Sequence, residues 1–310
     1  MYEKRKFPEY SWSLSRHKTF LECNRKYAYQ YYMSHNGWLQ DSNVLAVDAY
    51  RLKNLTNLEM FFGKIVHELI EKILKQFFEK SIVPNEESLN KVIKDQLNQG
   101  FWESMNSREL WGIKPKHYTM FHEIYYEGKL MTEKIEEIKY RLKVSMKHFL
   151  ASQSFQDIQA KDRTKVFEFE QFRTMNWNGT KVFVVMDMVY RDFTNNKWVI
   201  VDWKTGKASD EDRSQLALYA LYLKGKFKLK DFSEIEVRNE YLLEGFHKTY
   251  KLNRYDIENI KFIFDLSNKN MNSLLEDQHL NKPLDLEAFE KTIYESKCNR
   301  CNYKELCEMY

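Results

Sequence analysis

The strongest constraint on this chain is a short run, Val199, Ile200, Val201, Asp202, Trp203, Lys204, Thr205 and Gly206, with Asp187 fifteen residues before Asp202. The run reads as a strand that ends in an acid and a base. A β-strand turns residues i and i+2 to one face. Asp202 and Lys204 therefore project together, and Trp203 points the other way. Residues 181–190, which contain Asp187, are also β-rich, and Thr194, Asn195, Asn196 and Lys197 form a polar turn signal between the two stretches. A hairpin centred between Asn195 and Asn196 puts Asp187 opposite Lys204 and diagonal to Asp202. Two carboxylates and an ammonium then share one patch of sheet. A lone Asp-x-Lys triplet is common by chance. An acid, a turn and Asp-x-Lys ending in Thr-Gly is much more specific.

Two aspartates facing one point can bind one or two divalent cations through oxygen. A lysine beside them can orient or deprotonate water, or stabilise charge developing on phosphorus. Hydrolysis of a phosphodiester needs those parts. The plain alternative is a surface ion pair on an edge strand. Apolar strands ending in these charges argue against it, because a buried charge is costly unless paired or metal-bound. Two further positions fit such a site. His67 follows Gly63 by one helical turn, and Gly63 permits close approach of another backbone. Gln215 and Tyr219, spaced i and i+4, share a helix face after the hairpin. Taken singly, each is more simply structural. Glu168 and Glu170 are further candidates for a second-metal or supporting ligand, although alternation on a strand explains them more simply.

The rest of the chain organises around the hairpin. The pattern predicts a helix over 13–35, capped by Ser13 or Ser15, then loop or irregular chain over 36–56. Residues 57–80 read as an amphipathic helix with Leu58, Phe61, Phe62, Ile65, Val66, Leu69, Ile70, Ile73, Leu74 and Phe77 on its apolar side. Residues 85–160 look mostly helical and lack obvious strands, with 118–151 periodic. Strands follow at 166–172, 181–190 and 198–204, a helix at 212–224, a strand at 235–243 and a helix at 253–275. The end, 285–310, begins helical and finishes in three cysteines. The order implies one domain of α/β class: an N-terminal segment (1–56), a core helix (57–80), a large helical insertion (81–160), a mixed-sheet core (161–284) and a C-terminal segment (285–310).

Of the 310 residues, 43% are apolar and 15% aromatic, which suits a globular protein, and the net charge is only +4. Bulk charge therefore does not prove a polyanion partner. Basic residues cluster locally among tyrosines between Arg25 and Tyr32, a pattern that can stack bases and bind phosphates, although at least half of these tyrosines are expected in the core. No apolar run is long enough to cross a membrane, and the start lacks a signal-peptide core, so a cytoplasmic protein is expected. Disulfides are rare there. The four cysteines are Cys23, then Cys298, Cys301 and Cys307. Three clustered and one remote can make a four-thiolate site for Zn²⁺ or a [4Fe–4S] cluster, and spacing alone does not separate the two.

Together these residues resemble the RecB-like branch of the PD-(D/E)XK nuclease superfamily. Its motifs are a helical Gly-x-x-x-His, an acid on one strand, Asp-x-Lys-Thr-Gly on the next and Gln-x-x-x-Tyr on the following helix. All four occur in order as Gly63/His67, Asp187, Asp202/Lys204/Thr205/Gly206 and Gln215/Tyr219. One departure is Met186 before the acid, where glycine is frequent. The resemblance implies a restriction-endonuclease-like core in which His67, Asp187, Asp202 and the Trp203 carbonyl ligate Mg²⁺ or Mn²⁺. Lys204 then acts on the attacking water, and Gln215 and Tyr219 sit by the DNA. AddB-type and CRISPR-associated members carry one cysteine before the core and three after it, holding a [4Fe–4S] cluster that staples the chain ends. Cys23, Cys298, Cys301 and Cys307 match, with Asn24 standing where proline commonly follows the first cysteine. Zinc is the less favoured occupant.

The resemblance covers both ends, 57–75 and 165–245, and leaves 85–160 unassigned. It favours an exonuclease on single-stranded DNA. No Walker A motif is present, so any helicase, repair, defence or CRISPR partner comes from another protein. The alternative is a catalytically silent scaffold or DNA-binding subunit of a helicase–nuclease complex, which would be expected to lack an Asp or the Lys. A zinc-stapled RNA-processing enzyme ranks lower, because nothing reads the 2′-hydroxyl.

Overall fold

A computed structural model describes residues 4–160, 162–209 and 212–309, with the backbone alone for 168–172 and 212. The helix expected at 13–35 is broken. Helices α1 (Leu14–Glu22) and α2 (Asn24–Ala28) part at Cys23, whose backbone is extended, and a π-helical turn follows at Tyr29–Met33. Ser13 caps α1 by accepting the Arg16 N–H at 3.1 Å. Cys23 Sγ caps α2 by accepting the Lys26 N–H at 3.4 Å. A sulfur in the N-cap position is what interrupts the helix.

The stretch 36–56 is not irregular. Helix α3 (Val44–Lys53) starts from Asn43, whose side chain accepts the Ala46 N–H at 2.8 Å. Its buried face is Ala46, Ala49 and Leu52, and so small a stripe gives a faint periodic signal. The same small residues let α3 sit close on the preceding turn. At Gly37 a Cβ would stand 2.0 Å from the Ala46 carbonyl oxygen and 2.5 Å from Tyr50 Cβ. Gly37→Ala is expected to force α3 off this turn and cost ~1–3 kcal/mol, read as a lower urea midpoint. An unchanged midpoint would contradict that packing.

Helix α4 (Leu58–Lys80) is the amphipathic helix expected at 57–80, capped by Asn57. Nine of its apolar residues are buried, and Phe61 is half-buried. Each fully buried side chain of this size contributes roughly 1.5–3 kcal/mol. That burial fixes the rotation of α4 about its axis, and with it the direction of His67. Residues 85–160 are helical as expected: α5 (Glu86–Asn106), α6 (Arg108–Ile113), α7 (His122–Glu127), α8 (Thr132–Leu150) and α9 (Gln153–Gln159). Gly128, at φ 72°, ends α7, so the periodic stretch 118–151 divides in two.

Strands β1 (Thr164–Trp177), β2 (Thr180–Asp192) and β3 (Lys197–Lys204) form an antiparallel meander. Helix α10 (Asp212–Phe227) crosses over to β4 (Ile235–Tyr241), which runs parallel to β3. Strand β5 (Phe246–Tyr250) returns antiparallel to β4 and completes a mixed sheet in the order β1-β2-β3-β4-β5. Alternation does not mark β5, because four of its five residues are exposed.

Helices cover both faces. On one lie α10 and α11 (Arg254–Asn272), packed on Val189 and Ile200. On the other, α4, α8 and α9 pack on Met188, Val201 and Trp203. A small two-stranded sheet, β6 (Leu275–Asp277) with β7 (Lys282–Pro283), follows α11. The C-terminal stretch is not helical at its start beyond one 3₁₀ turn at Leu286–Ala288. It ends in two short helices, α12 (Glu295–Asn299) and α13 (Lys304–Met309). The mixed sheet between helical layers agrees with the expected α/β core. No described helix is long and apolar enough to cross a membrane.

Candidate active site

Strands β2 and β3 pair from Asp192–Lys197 as far as Met188–Val201. The turn is therefore centred between Thr194 and Asn195, one residue earlier than expected. Asp192 sets it, because its Oδ1 accepts the N–H groups of Thr194 at 2.9 Å and Asn195 at 3.1 Å, and Asn196 closes the turn at φ 53°. One step beyond the last pair, Asp187 comes opposite Asp202 rather than Lys204. Pairing has moved by two residues, so every side chain keeps its face. The two carboxylates and Lys204 still meet, with Lys204 now on the diagonal.

Past Met188 the ladder stops and the strands part. Asp187 fills the opening, its Oδ2 accepting the Trp203 N–H at 2.7 Å. The Trp203 ring turns to the opposite face, fully buried, 5.7 Å from the Phe149 ring. His67 reaches the same opening from α4, with Nδ1 3.3 Å from Asp187 Oδ1. The glycine one turn before it is explained by the sheet, but through a side chain rather than a backbone. A Cβ on Gly63 would lie 3.2 Å from Thr205 Oγ1.

Asp202 is 4% exposed. Its Oδ2 stands 2.7 Å from Lys204 Nζ, and its Oδ1 accepts from Gln215 Nε2 at 3.3 Å. Lys204 Nζ also donates to Gln215 Oε1 at 2.9 Å. A lysine can only donate and a carboxylate can only accept, so the amide orientation of Gln215 is fixed by its neighbours. Gln215 Nε2 also donates to the Tyr219 hydroxyl. A continuous chain thus runs Asp202–Lys204–Gln215–Tyr219, joining the end of β3 to α10. Burial and the nearby Asp187 charge push the Asp202 carboxyl up to about 6, against the lowering pull of Lys204 and His67. Burial and the Asp202 and Asp187 charges hold the Tyr219 phenol well above its usual range, so it acts as a neutral hydroxyl.

The donor set of Asp187, Asp202 and His67 suits a hard divalent cation that also accepts imidazole. Asp202 Oδ2 supports the fit. It is buried and, with Lys204 Nζ off the angle of a hydrogen bond, accepts none. Among the described residues, however, no three His, Cys, Asp or Glu side chains already stand as a closed metal-binding group. Instead Lys204 Nζ stands 2.7 Å from Asp202 and His67 Nδ1 3.3 Å from Asp187. Trp203 contributes its N–H to Asp187, a role the sequence did not signal. The side chains of Glu168 and Glu170 lie outside the described residues.

The four cysteines come from both ends of the chain to one cavity of about 200 Å³, lined also by Lys26, Lys291, Lys297 and Lys304 and by Glu22 and Glu308, with Lys26 paired to Glu22 at 2.8 Å. All are free thiols. Cys23 Sγ accepts N–H groups from Lys26 and Thr292, and Cys301 Sγ accepts from Tyr303, each at 3.4 Å. The ends are held here by other contacts too: Arg25 N–H to the Glu290 carbonyl at 3.0 Å and Arg25 Nε to the Phe289 carbonyl at 2.9 Å. Burial pushes the Cys301 thiol up to about 12 and raises Cys307.

Of the tyrosines between Arg25 and Tyr32, Tyr27, Tyr29 and Tyr32 are core residues, and Tyr31 alone is half-buried. No curated protein matches the sequence. The family model described as the PD-(D/E)XK nuclease superfamily matches residues 11–308.

Proposed function

The chain belongs to the PD-(D/E)XK nuclease superfamily, and we propose that it is a metal-dependent deoxyribonuclease, an exonuclease acting on single-stranded DNA. The observation that carries this reading is the chain Asp202–Lys204–Gln215–Tyr219 beside Asp187 and His67. Asp187, Asp202, His67 and the Trp203 carbonyl would hold Mg²⁺ or Mn²⁺. That ion, when bound, acidifies water and neutralises charge on the phosphate. The remaining steps belong to the protein. Lys204 is a fixed donor beside the reacting phosphate, oriented by Gln215, and steadies the attacking water or the charge building on phosphate oxygens. Tyr219 keeps Gln215 in place from below. His67 and the Trp203 N–H keep Asp187 turned toward Asp202.

In the same reading the whole chain is one nuclease domain, and Cys23, Cys298, Cys301 and Cys307 hold a structural [4Fe–4S] cluster. Their shared cavity, the three N–H bonds accepted by sulfur and the excess of four lysines over two glutamates around it suit a negatively charged thiolate cluster.

End-labelled single-stranded DNA, duplex DNA and single-stranded RNA of one sequence, incubated with Mg²⁺ or Mn²⁺, test the function. Lys204→Ala is expected to slow cleavage of single-stranded DNA by about 10²–10⁴-fold. Equal cleavage by both proteins would refute the assigned site. No cleavage by either would favour a scaffold subunit.

A further inference from the structure

Resting on the reading of this site as a DNA-cutting centre, we propose that the cavity beside it seats the neighbouring nucleotide of a single strand. Its base lies against Phe183 and Tyr31, and its phosphate meets Ser13, Ser15 and Lys18. The cavity measures about 480 Å³ and shares Gln215 and Tyr219 with the candidate active site. That volume falls in the range of pockets that hold a small ligand, roughly 300–1,000 Å³.

The cavity follows from where β3 ends. Beyond Met188, the side of β2 away from β1 has lost its neighbour. It regains one only at Trp12, which bridges to Val182: Trp12 N donates to the Lys181 carbonyl and Phe183 N to the Trp12 carbonyl, both at 2.8 Å. The residues just after this bridge open α1 and supply Ser13, Leu14, Ser15 and Lys18 to the lining. Phe183, Val185 and Asp187 alternate onto one face of β2. Phe183 and Val185, which line the cavity, therefore lead along one face of β2 toward Asp187.

The lining divides by chemistry. Phe183, Val185, Leu14, Leu218 and Tyr31 offer apolar and aromatic surface for a base. Ser13, Ser15 and Lys18 offer hydroxyls and an ammonium for a phosphate. Two cations meet the Tyr31 ring, the Arg16 guanidinium 4.4 Å from its centre and the Lys53 ammonium 5.8 Å from it. Among the described residues neither is paired with a carboxylate. Arg16 is 4% exposed; its Nη1 donates to Ser11 Oγ at 3.1 Å and its Nη2 to the Tyr27 hydroxyl at 3.2 Å, and its Nε has no hydrogen-bond partner. A guanidinium buried without an anion is costly. Burial holds the Tyr10, Tyr31 and Tyr32 phenols above their usual range, so they do not supply the missing charge. The positive field of Arg16 adds to that of Lys18 in drawing the phosphates of the strand to this side of the cavity, while burial and the Arg16 charge lower the Lys53 ammonium to about 8. A base laid against Phe183 and Tyr31 would leave its stack and its pairing partner, which costs a duplex more than a single strand.

The test is binding of a fluorescent single-stranded oligonucleotide in EDTA, followed by anisotropy, with one abasic residue moved along the strand. Wild type is expected to lose about tenfold in affinity when the abasic residue occupies one particular position, and little elsewhere. Phe183→Ala should lose about tenfold on the intact strand and almost nothing on that abasic strand. Ser15→Asp keeps the fold, since an acid suits the first turn of a helix, yet should weaken binding by repelling phosphate. Lys18→Gln should reduce the slope of log affinity against log salt by about 0.7. A loss that is uniform along the strand, equal losses for Phe183→Ala on intact and abasic strands, or equal affinity for a blunt hairpin duplex would each overturn the subsite. Position-specific binding by a protein that cuts nothing would uphold the subsite and sink the nuclease reading. Cutting without any position-specific step would do the reverse.

Discussion

Asp202→Asn is expected to abolish cleavage while making the metal-free protein harder to unfold. Both effects come from one cause. Asp202 is buried beside Asp187, and its carboxyl is pushed up to about 6 by burial first and by the Asp187 charge second. A carboxyl whose folded pKa exceeds its unfolded value binds a proton more tightly when folded. Its contribution to stability is therefore full below about 4, declines as pH rises toward 6 and is a net cost at neutral pH. Holding the carboxyl near 6 rather than in its ordinary range costs on the order of a few kcal/mol before the neighbours relax. Asparagine removes that cost, although Lys204 loses part of its counter-charge. The expected net gain at pH 7 is ~1–2 kcal/mol in EDTA, read as a higher urea midpoint. Wild type and variant should converge as pH falls from 6 to 4, and Mn²⁺ should stabilise wild type far more than the variant. A variant less stable than wild type at pH 7, or one that still cuts DNA, would sink this account of Asp202.

The second large effect concerns the cysteines. Purified without air, the protein is expected to be brown, with absorbance near ~400 nm, and Cys301→Ser to be colourless. A cluster joining Cys23 to Cys298 closes a loop nearly as long as the chain, and by analogy with a disulfide such closure is worth ~4–5 kcal/mol. Cys301→Ser should therefore lower the denaturation midpoint strongly. Buried Cys301, with its thiol up to about 12, is a poor thiolate on its own. A bound metal changes that, since coordination deprotonates a thiol outright. A colourless protein with stoichiometric zinc would remove the iron and leave the thiolate site. A colourless, metal-free protein, indifferent to Cys301→Ser, would remove both.

Much of this was legible because the signals are large. Nine buried apolar residues on α4 make an unmistakable helical stripe, so the helix that carries His67 is readable without any structure. The Asp187, Asp202 and Lys204 convergence is readable because strand alternation is insensitive to a pairing shift of two. The register itself is not. It is decided by Asp192 holding two turn N–H groups, and an aspartate at that position is chemically ordinary. α3 escapes because alanines carry its buried face. β5 escapes because an exposed edge strand has no apolar period. The break at Cys23 escapes because cysteine is rarely read as a cap. The cavity between Trp12 and Asp187 depends on β3 ending early and an N-terminal segment taking its place. Nothing local in either segment announces that meeting.

Trp203 sits between the acid and the base of the Asp-x-Lys triplet, yet its ring belongs to the other side of the sheet. There it packs against Phe149 of α8, in a layer shared with Met146, Phe155 and Ile158. His148 of the same helix meets the Leu242 carbonyl at 2.9 Å, just past the strand beside β3. Within the helical stretch 81–160, α8 and α9 are therefore a support for β3, which carries Asp202 and Lys204. A change in the packing of Phe149 on α8 would therefore reach Trp203 directly. The two residues that flank Trp203 are Asp202 and Lys204.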